Sequence, residues 1–192
     1  MKKAFAAAVI LLVVGGALRT QLTVRGFDVT RSPEPGWQVY SNEKLAFSIL
    51  YPDGWFVHET ERSPDVGVLI DFTPTPVRKP GQVVPSIWIE VLPRPAKTKL
   101  DDWIEIHTLQ NLPPQIRSSV TVHPYQLGGT PGFEVVGLPG VHPNLQYFFA
   151  ASEHIYRITI SPYGQDGPGS AGMLSDVQRL RDVMLPSLDI QN

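Results

Sequence analysis

The chain has 192 residues, 42% hydrophobic and 18% charged, with a net charge of −2 and no cysteine. That composition excludes a disordered chain, a disulfide framework, a thiolate metal site and thiol catalysis. Three of the basic residues, Lys2, Lys3 and Arg19, lie in the first twenty positions. The rest of the chain is acidic on balance and has no Lys/Arg cluster, which argues against nucleic acid as a partner.

Lys2 and Lys3 precede an uncharged, mostly apolar run from Ala4 to Leu18. This is the layout of a secretory signal peptide. Gly15 and Ala17 supply small residues for a cleavage site, although Leu18 and Arg19 suit one poorly. The alternative for residues 1–20 is an uncleaved membrane anchor, shorter than the roughly 20 apolar residues of a full span. The basic start would stay cytoplasmic. In both cases the expected location is exported (periplasmic, extracellular or lumenal), with membrane attachment if the segment is retained. Residues 21–36 hold Arg25, Asp28, Arg31, Pro33, Glu34 and Pro35 and read as a linker. Residues 37–192 are then expected to form a single domain.

Leu45, Phe47, Ile49 and Tyr51 alternate with Ala46, Ser48 and Leu50, the pattern of a half-buried strand. Pro52-Asp53-Gly54 reads as a turn before Trp55-Phe56-Val57-His58, which predicts a hairpin. Val66, Val68, Ile70 and Phe72 form a second alternating face, with Gly67 and Asp71 opposite. Residues 73–85 carry Pro74, Pro76, Pro80 and Pro85 and must be loop. Ile87, Ile89 and Val91 then alternate with Trp88, Glu90 and Leu92.

A helix is predicted over 99–112. Thr98 and Asp101 would cap it, and Leu100, Trp103, Ile104 and His107 would share its apolar face until Pro113 and Pro114 end it. Strands follow around Val120 and Val122, around Phe133 and Val135 after the turn Gly128–Gly132, from Leu145 to Ala151, and from Ile155 to Ile160. Ser152-Glu153-His154 makes a hairpin between the last two. After a loop at 162–172, Ser175 and Gln178 would cap a second helix running to Leu185, with Val177, Leu180 and Met184 inward and Pro186 as its stop. Short links imply antiparallel pairing, and each amphipathic helix must cover a sheet face. The expected class is α+β: a central antiparallel β-sheet with helices packed on it, an α/β/α sandwich.

The stretch Leu45-Ala46-Phe47-Ser48-Ile49-Leu50-Tyr51-Pro52-Asp53-Gly54-Trp55 resembles the opening of the PsbP-like superfamily. So do the helix start Thr98-Lys99-Leu100-Asp101-Asp102-Trp103, the segment Gly129–Val136, and Tyr156-Arg157-Ile158-Thr159-Ile160 with the later Pro186-Ser187-Leu188. The resemblance covers about residues 37–190 and rests on packing motifs. It implies a PsbP-like domain. Its members include extrinsic subunits of the oxygen-evolving complex, bacterial exported proteins and lipoproteins, and a small-GTPase-binding nuclear transport factor. What they share is binding without catalysis. The absence of cysteine departs from the lipoprotein members, and the leader suits a bacterial exported protein.

No local motif points to an active site. Ser170 has Gly172 after it, but Pro168 stands where a nucleophile elbow needs glycine. The glycine-rich loop from Tyr163 to Gly169 lacks the lysine of a phosphate cradle. His58 shares a strand face with Thr60, while Glu59 and Glu61 face the other way. His142 and His154 flank one hairpin region, and their approach would open a metal site that needs three or four ligands. His107 reads as a hydrogen-bonded histidine at the core edge. The four tryptophans, Trp37, Trp55, Trp88 and Trp103, could suggest a carbohydrate or partner surface, but Trp55 and Trp103 fall on core-like positions. Trp88 alternates away from its apolar neighbours and is an interface anchor unless a helix covers it. The expectation is a non-enzymatic exported accessory module, with no catalytic residue, metal or cofactor assigned, its binding residues unknown, and a membrane or exported protein as partner. The alternatives are an exported small-molecule or metal-binding protein and, last, a hydrolase.

Overall fold

The computed structural model describes residues 35–191 apart from 63–66, 80–81, 141, 152 and 164–169. The leader at 1–20 and the linker up to residue 34 therefore lie outside the described residues, as do Val66 and Ser152.

The domain opens with two paired strands, β1 (Trp37–Asn42) and β2 (Phe47–Pro52), antiparallel along their full length. The Asp53-Gly54 turn follows, with Gly54 at φ 78°. It does not close the expected hairpin. Both edges of β2 are occupied, one by β1 and the other by the terminal β10 (Asp189–Ile190), so β2 has no edge left for the next strand. The turn instead carries the chain into a second sheet. A backbone bond from Asp53 N–H to the Gly36 carbonyl (2.9 Å) ties it to the start of β1.

The second sheet has seven antiparallel strands in the order β3-β4-β5-β9-β8-β7-β6. They are β3 (Phe56–Glu61), β4 (Val68–Thr73), β5 (Ser86–Pro93), β6 (Thr121–Leu127), β7 (Thr130–Val136), β8 (Leu145–Ala151) and β9 (His154–Ser161). Period-two alternation gives it an apolar inner face. Ile70, Ile89, Ile158 and Tyr147 stand in one cross-strand row, each at most 0% exposed. Phe47 and Ile49 of the small sheet and Val177, Leu180 and Met184 of the last helix close over this face. Each large apolar side chain removed from water here contributes about 1.5–3 kcal/mol. The Tyr156 hydroxyl crosses between the sheets to donate to the Leu45 carbonyl at 2.8 Å.

On the outer face a smaller cluster forms. Trp103 and Ile104 pack on Val135, Leu138, Phe148 and Ile155. With one helix on each face, the fold is α+β, as expected, and the small sheet shares the inner layer. Gly132 of β7 has no room for a side chain: a Cβ would sit 2.3 Å from the Phe148 carbonyl oxygen and 2.4 Å from the Phe149 ring.

The helices depart from expectation in detail. α1 (Leu100–Ile104) has Lys99 at its N-cap, one residue beyond Thr98, so no side-chain cap bond forms, and Asp101 accepts only from the N–H of its neighbour Asp102. The helix widens to π geometry over Glu105–Leu109, closed by a bond from Gln110 N–H to the Glu105 carbonyl. Pro114 does not merely stop it but begins a single further turn, α2 (Pro114–Arg117). The last helix, α3 (Ser170–Arg179), starts five residues earlier than predicted, so Ser175 is an interior residue and not a cap. It continues as a π turn (Leu180–Met184) and a 3-10 turn (Leu185–Ser187).

Candidate functional site

Among the described residues, the outer face of the seven-stranded sheet is covered mainly where α1 packs on β7, β8 and β9. At the β3-β4-β5 end only Leu92, near the end of β5, packs partly against that cluster among the described residues. β4 is apolar up to its terminal Thr73 except for Asp71, whose position in the alternation turns it outward. The register sets Asp71 directly opposite His58 on β3 and Trp88 on β5, and Trp88 opposite Thr159 on β9. One cross-strand row therefore reads His58, Asp71, Trp88, Thr159.

The proline-rich loop after β4 folds back over this row. Arg78 Nη2 donates to both carboxylate oxygens of Asp71 at 2.8 Å, and the guanidinium lies 5.4 Å from the centre of the Trp88 ring. Trp88 is half-buried, pressed between its strand and a cation, a cation–π arrangement. Burial pushes the Asp71 carboxyl above the usual carboxylate range, against the pull of Arg78 and His58. The next row holds Glu90, which bridges Arg62 (3.1 Å) and Arg157.

Between these groups lies a cavity of about 260 Å³, lined by His58, Asp71, Thr73, Thr75, Pro76 and Arg78. The hydroxyls of Thr73 and Thr75 are buried in its wall without a hydrogen-bond partner. A buried polar group left so costs about 1–3 kcal/mol. Hydroxyls, an imidazole, an ion pair and an aromatic plane make a surface suited to recognition. A larger hollow of about 440 Å³ is lined by Leu45, Glu61, Arg62, Val91, Glu153 and His154 among others.

The other sequence candidates fall elsewhere. His142 and His154 do not converge: His142 precedes β8, and His154 pairs with the last residue of β8, Ala151. A seven-residue strand separates them, about 20 Å at 3.4 Å per residue. Among the described residues no group of three or more His, Asp or Glu side chains is placed to hold a metal. His107 is exposed and not at the core edge; the π widening swings it out of the buried face, and it stacks on Trp103 at 4.7 Å. Glu59 and Glu61 face away from His58, as alternation predicted, and Glu59 accepts a bond from the Tyr40 hydroxyl at 2.9 Å. Burial pushes that phenol up to about 12. Trp37 and Trp103 are buried, and Trp55 packs against the main core. The Ser170 side chain and the loop 164–169 lie outside the described residues.

Sequence reading singled out Trp88 and missed Asp71, Thr73, Thr75 and Arg78. A signal was present for one: a lone Asp inside V-L-I-D-F cannot face a core unpaired. Arg78 had none, because its reach depends on how the proline loop folds.

No family model matches the chain, and no curated protein does. The chain is similar to a solved structure, the solution structure of cyanobacterial PsbP (CyanoP) from Synechocystis sp. PCC 6803. Sequence identity is 16%, the match covers 83% of this chain and 95% of that one, and the TM-score is 0.54. At that identity the likeness is one of fold, and it supports a PsbP-like architecture for the described domain.

Proposed function

We propose that this chain is a non-catalytic accessory module that works outside the cytosol by binding another protein, one exported or held at a membrane. The observation that carries the reading is the open β3-β4-β5 face, where half-buried Trp88 lies under Arg78 between Asp71 and Thr159. A large aromatic with a paired Arg on an uncovered sheet face is the residue chemistry that anchors protein interfaces. Export is supported by the sequence of residues 1–20, basic and then apolar. No helix among the described residues is long and apolar enough to cross a membrane. The fold likeness is compatible with a binding role and by itself names no partner.

The test is affinity purification of the tagged full chain from gently solubilised membranes, at low and high salt, with mass spectrometry of what is retained. Wild type should recover one or a few proteins reproducibly, and Trp88→Ala with Arg78→Ala should lose them. Recovery of the same proteins by the double variant would move the interface off this face. A clean monomer from both would sink the reading.

A second reading, an exported small-molecule binder, draws on the cavity beside it with its two unpartnered threonine hydroxyls. Thermal melts against a ligand panel separate the two. A ligand present at 100 times its dissociation constant should add about 2.7 kcal/mol of stability, and flat melts retire this reading.

A further inference from the structure

Among the described residues the seven-stranded sheet ends in two edges, β3 and β6. The two expose different backbone chemistry. In β6 the two-residue turn Gly128-Gly129 makes Leu127 and Thr130 the closing pair. Strict alternation of the antiparallel ladder then turns the backbone of Val122, Pro124 and Gln126 outward. Pro124 has no N–H to offer, and proline at such a position is a known way to blunt an edge.

On β3 the Arg62 N–H donates to the Gly67 carbonyl at 3.0 Å. Counting back from that pair, Val57, Glu59 and Glu61 point their N–H and C=O groups away from β4. The strand reads Phe-Val-His-Glu-Thr-Glu, with no proline and no lysine to discourage pairing. Five of its six residues are exposed, Phe56 at 41%. Glu59 and Glu61 lie on one face of it. The cations nearest in sequence and register are engaged elsewhere: Arg62 pairs with Glu90 and Arg78 with Asp71.

We infer that β3 is a docking edge for an extended segment of a partner protein that carries Lys or Arg at alternate positions. This rests on the accessory-module reading and adds a second contact to the Trp88 face. Backbone bonds to Val57, Glu59 and Glu61 extend the sheet by one strand, the mode in which main chain supplies affinity and alternate side chains supply selectivity. Residues two apart in the added strand stand opposite Glu59 and Glu61 on one face, where opposite charges attract. Glu59 is already oriented by the Tyr40 hydroxyl. The other face of the added strand meets Phe56 and His58 and accepts an apolar residue. A second copy of this chain fits badly, because β3 against β3 brings like carboxylates onto the same face.

The probe is a blocked peptide, Thr-Lys-Val-Lys-Val-Lys-Thr, titrated into the isotope-labelled full chain and followed by amide NMR and fluorescence anisotropy. Saturable shifts should appear in β3 and not in β6. N-methylation of alternate peptide amides should weaken binding at least 10-fold, as should Glu59→Lys with Glu61→Lys in the protein. A peptide with Glu in place of Lys should not bind. No saturable binding, shifts confined to β6, or equal binding by the N-methylated peptide each overturns the proposal. Affinity capture separates this from the broader reading. A partner retained equally by wild type and by the Glu59→Lys/Glu61→Lys variant removes the edge and leaves the accessory role, whereas capture of no partner by wild type removes the role itself.

Discussion

The outer face of the seven-stranded sheet is two surfaces on one scaffold. At the β7-β8-β9 end, Val135, Phe148 and Ile155 are buried beneath Trp103 and Ile104. At the β3-β4-β5 end the outward positions include His58, Asp71, Trp88 and Glu90 along with Leu69 and Leu92, and among the described residues Trp88 is covered by a single arginine from a loop. Backbone pairing is continuous from one end to the other, so hydrogen bonding does not distinguish them. Side-chain chemistry does. Apolar outward residues draw a helix over themselves by the area they remove from water, and polar ones do not. Among the described residues, one end of the face is therefore sealed by apolar packing and the other is not.

The largest effect should come from the covered end. Phe148→Ala removes a side chain with no exposure, touching Trp103 at a ring distance of 6.3 Å, and should cost about 3–5 kcal/mol in urea unfolding. A loss near zero would mean that α1 does not seal this end. Between the two faces, Tyr156→Phe deletes the bond to the Leu45 carbonyl and should cost about 1 kcal/mol by the same measurement. At the open end Trp88→Ala should cost no more than about 2 kcal/mol while abolishing partner capture. A cost equal to that of Phe148→Ala would make Trp88 a core residue and erase the contrast. Glu90→Gln, which weakens the partly exposed pairs with Arg62 and Arg157, should cost about 0.2–1 kcal/mol.

The finest test is of pH. The Asp71 carboxyl is raised in the folded chain, so the folded state holds its proton at pH values where the unfolded chain has released it. Its contribution is therefore greatest at acid pH and declines as pH rises through the raised value. Relative to Asp71→Asn, wild type should gain stability from pH 7 toward about pH 4, the ordinary carboxylate range. Urea melts of both proteins at the two pH values give the difference. A gap that stays constant or shrinks toward acid would show that the carboxylate is not strained by burial at this site.

Most strands were legible because alternation is a local property. Ile70, Phe72, Ile87 and Ile89 announce their face within a few residues of sequence. β1 was not read as a strand, because Trp-Gln-Val-Tyr-Ser-Asn alternates weakly and its partner lies across a loop. β10 is two residues long and exists only because β2 offers an edge. The helix caps failed for a related reason: Thr98 and Ser175 carry the right side chains, but α1 takes Lys99 as its N-cap and α3 begins at Ser170, so neither residue stands at a helix start. Of the candidate site, Trp88 and the orientation of His58 were visible in the alternation, whereas the reach of Arg78 was not.

By itself the sequence determined the class, the placement of Trp88 on the face opposite Ile87, Ile89 and Val91, and the absence of thiol chemistry, because composition and periodicity act over a few residues at a time. Tertiary structure alone decided which sheet each strand joins, which end of the outer face α1 covers, and that among the described residues β3 and β6 stand at the edges of the large sheet. Those are choices among partners distant in sequence. They are set by which edges and apolar faces remain unfilled once the rest of the chain has packed.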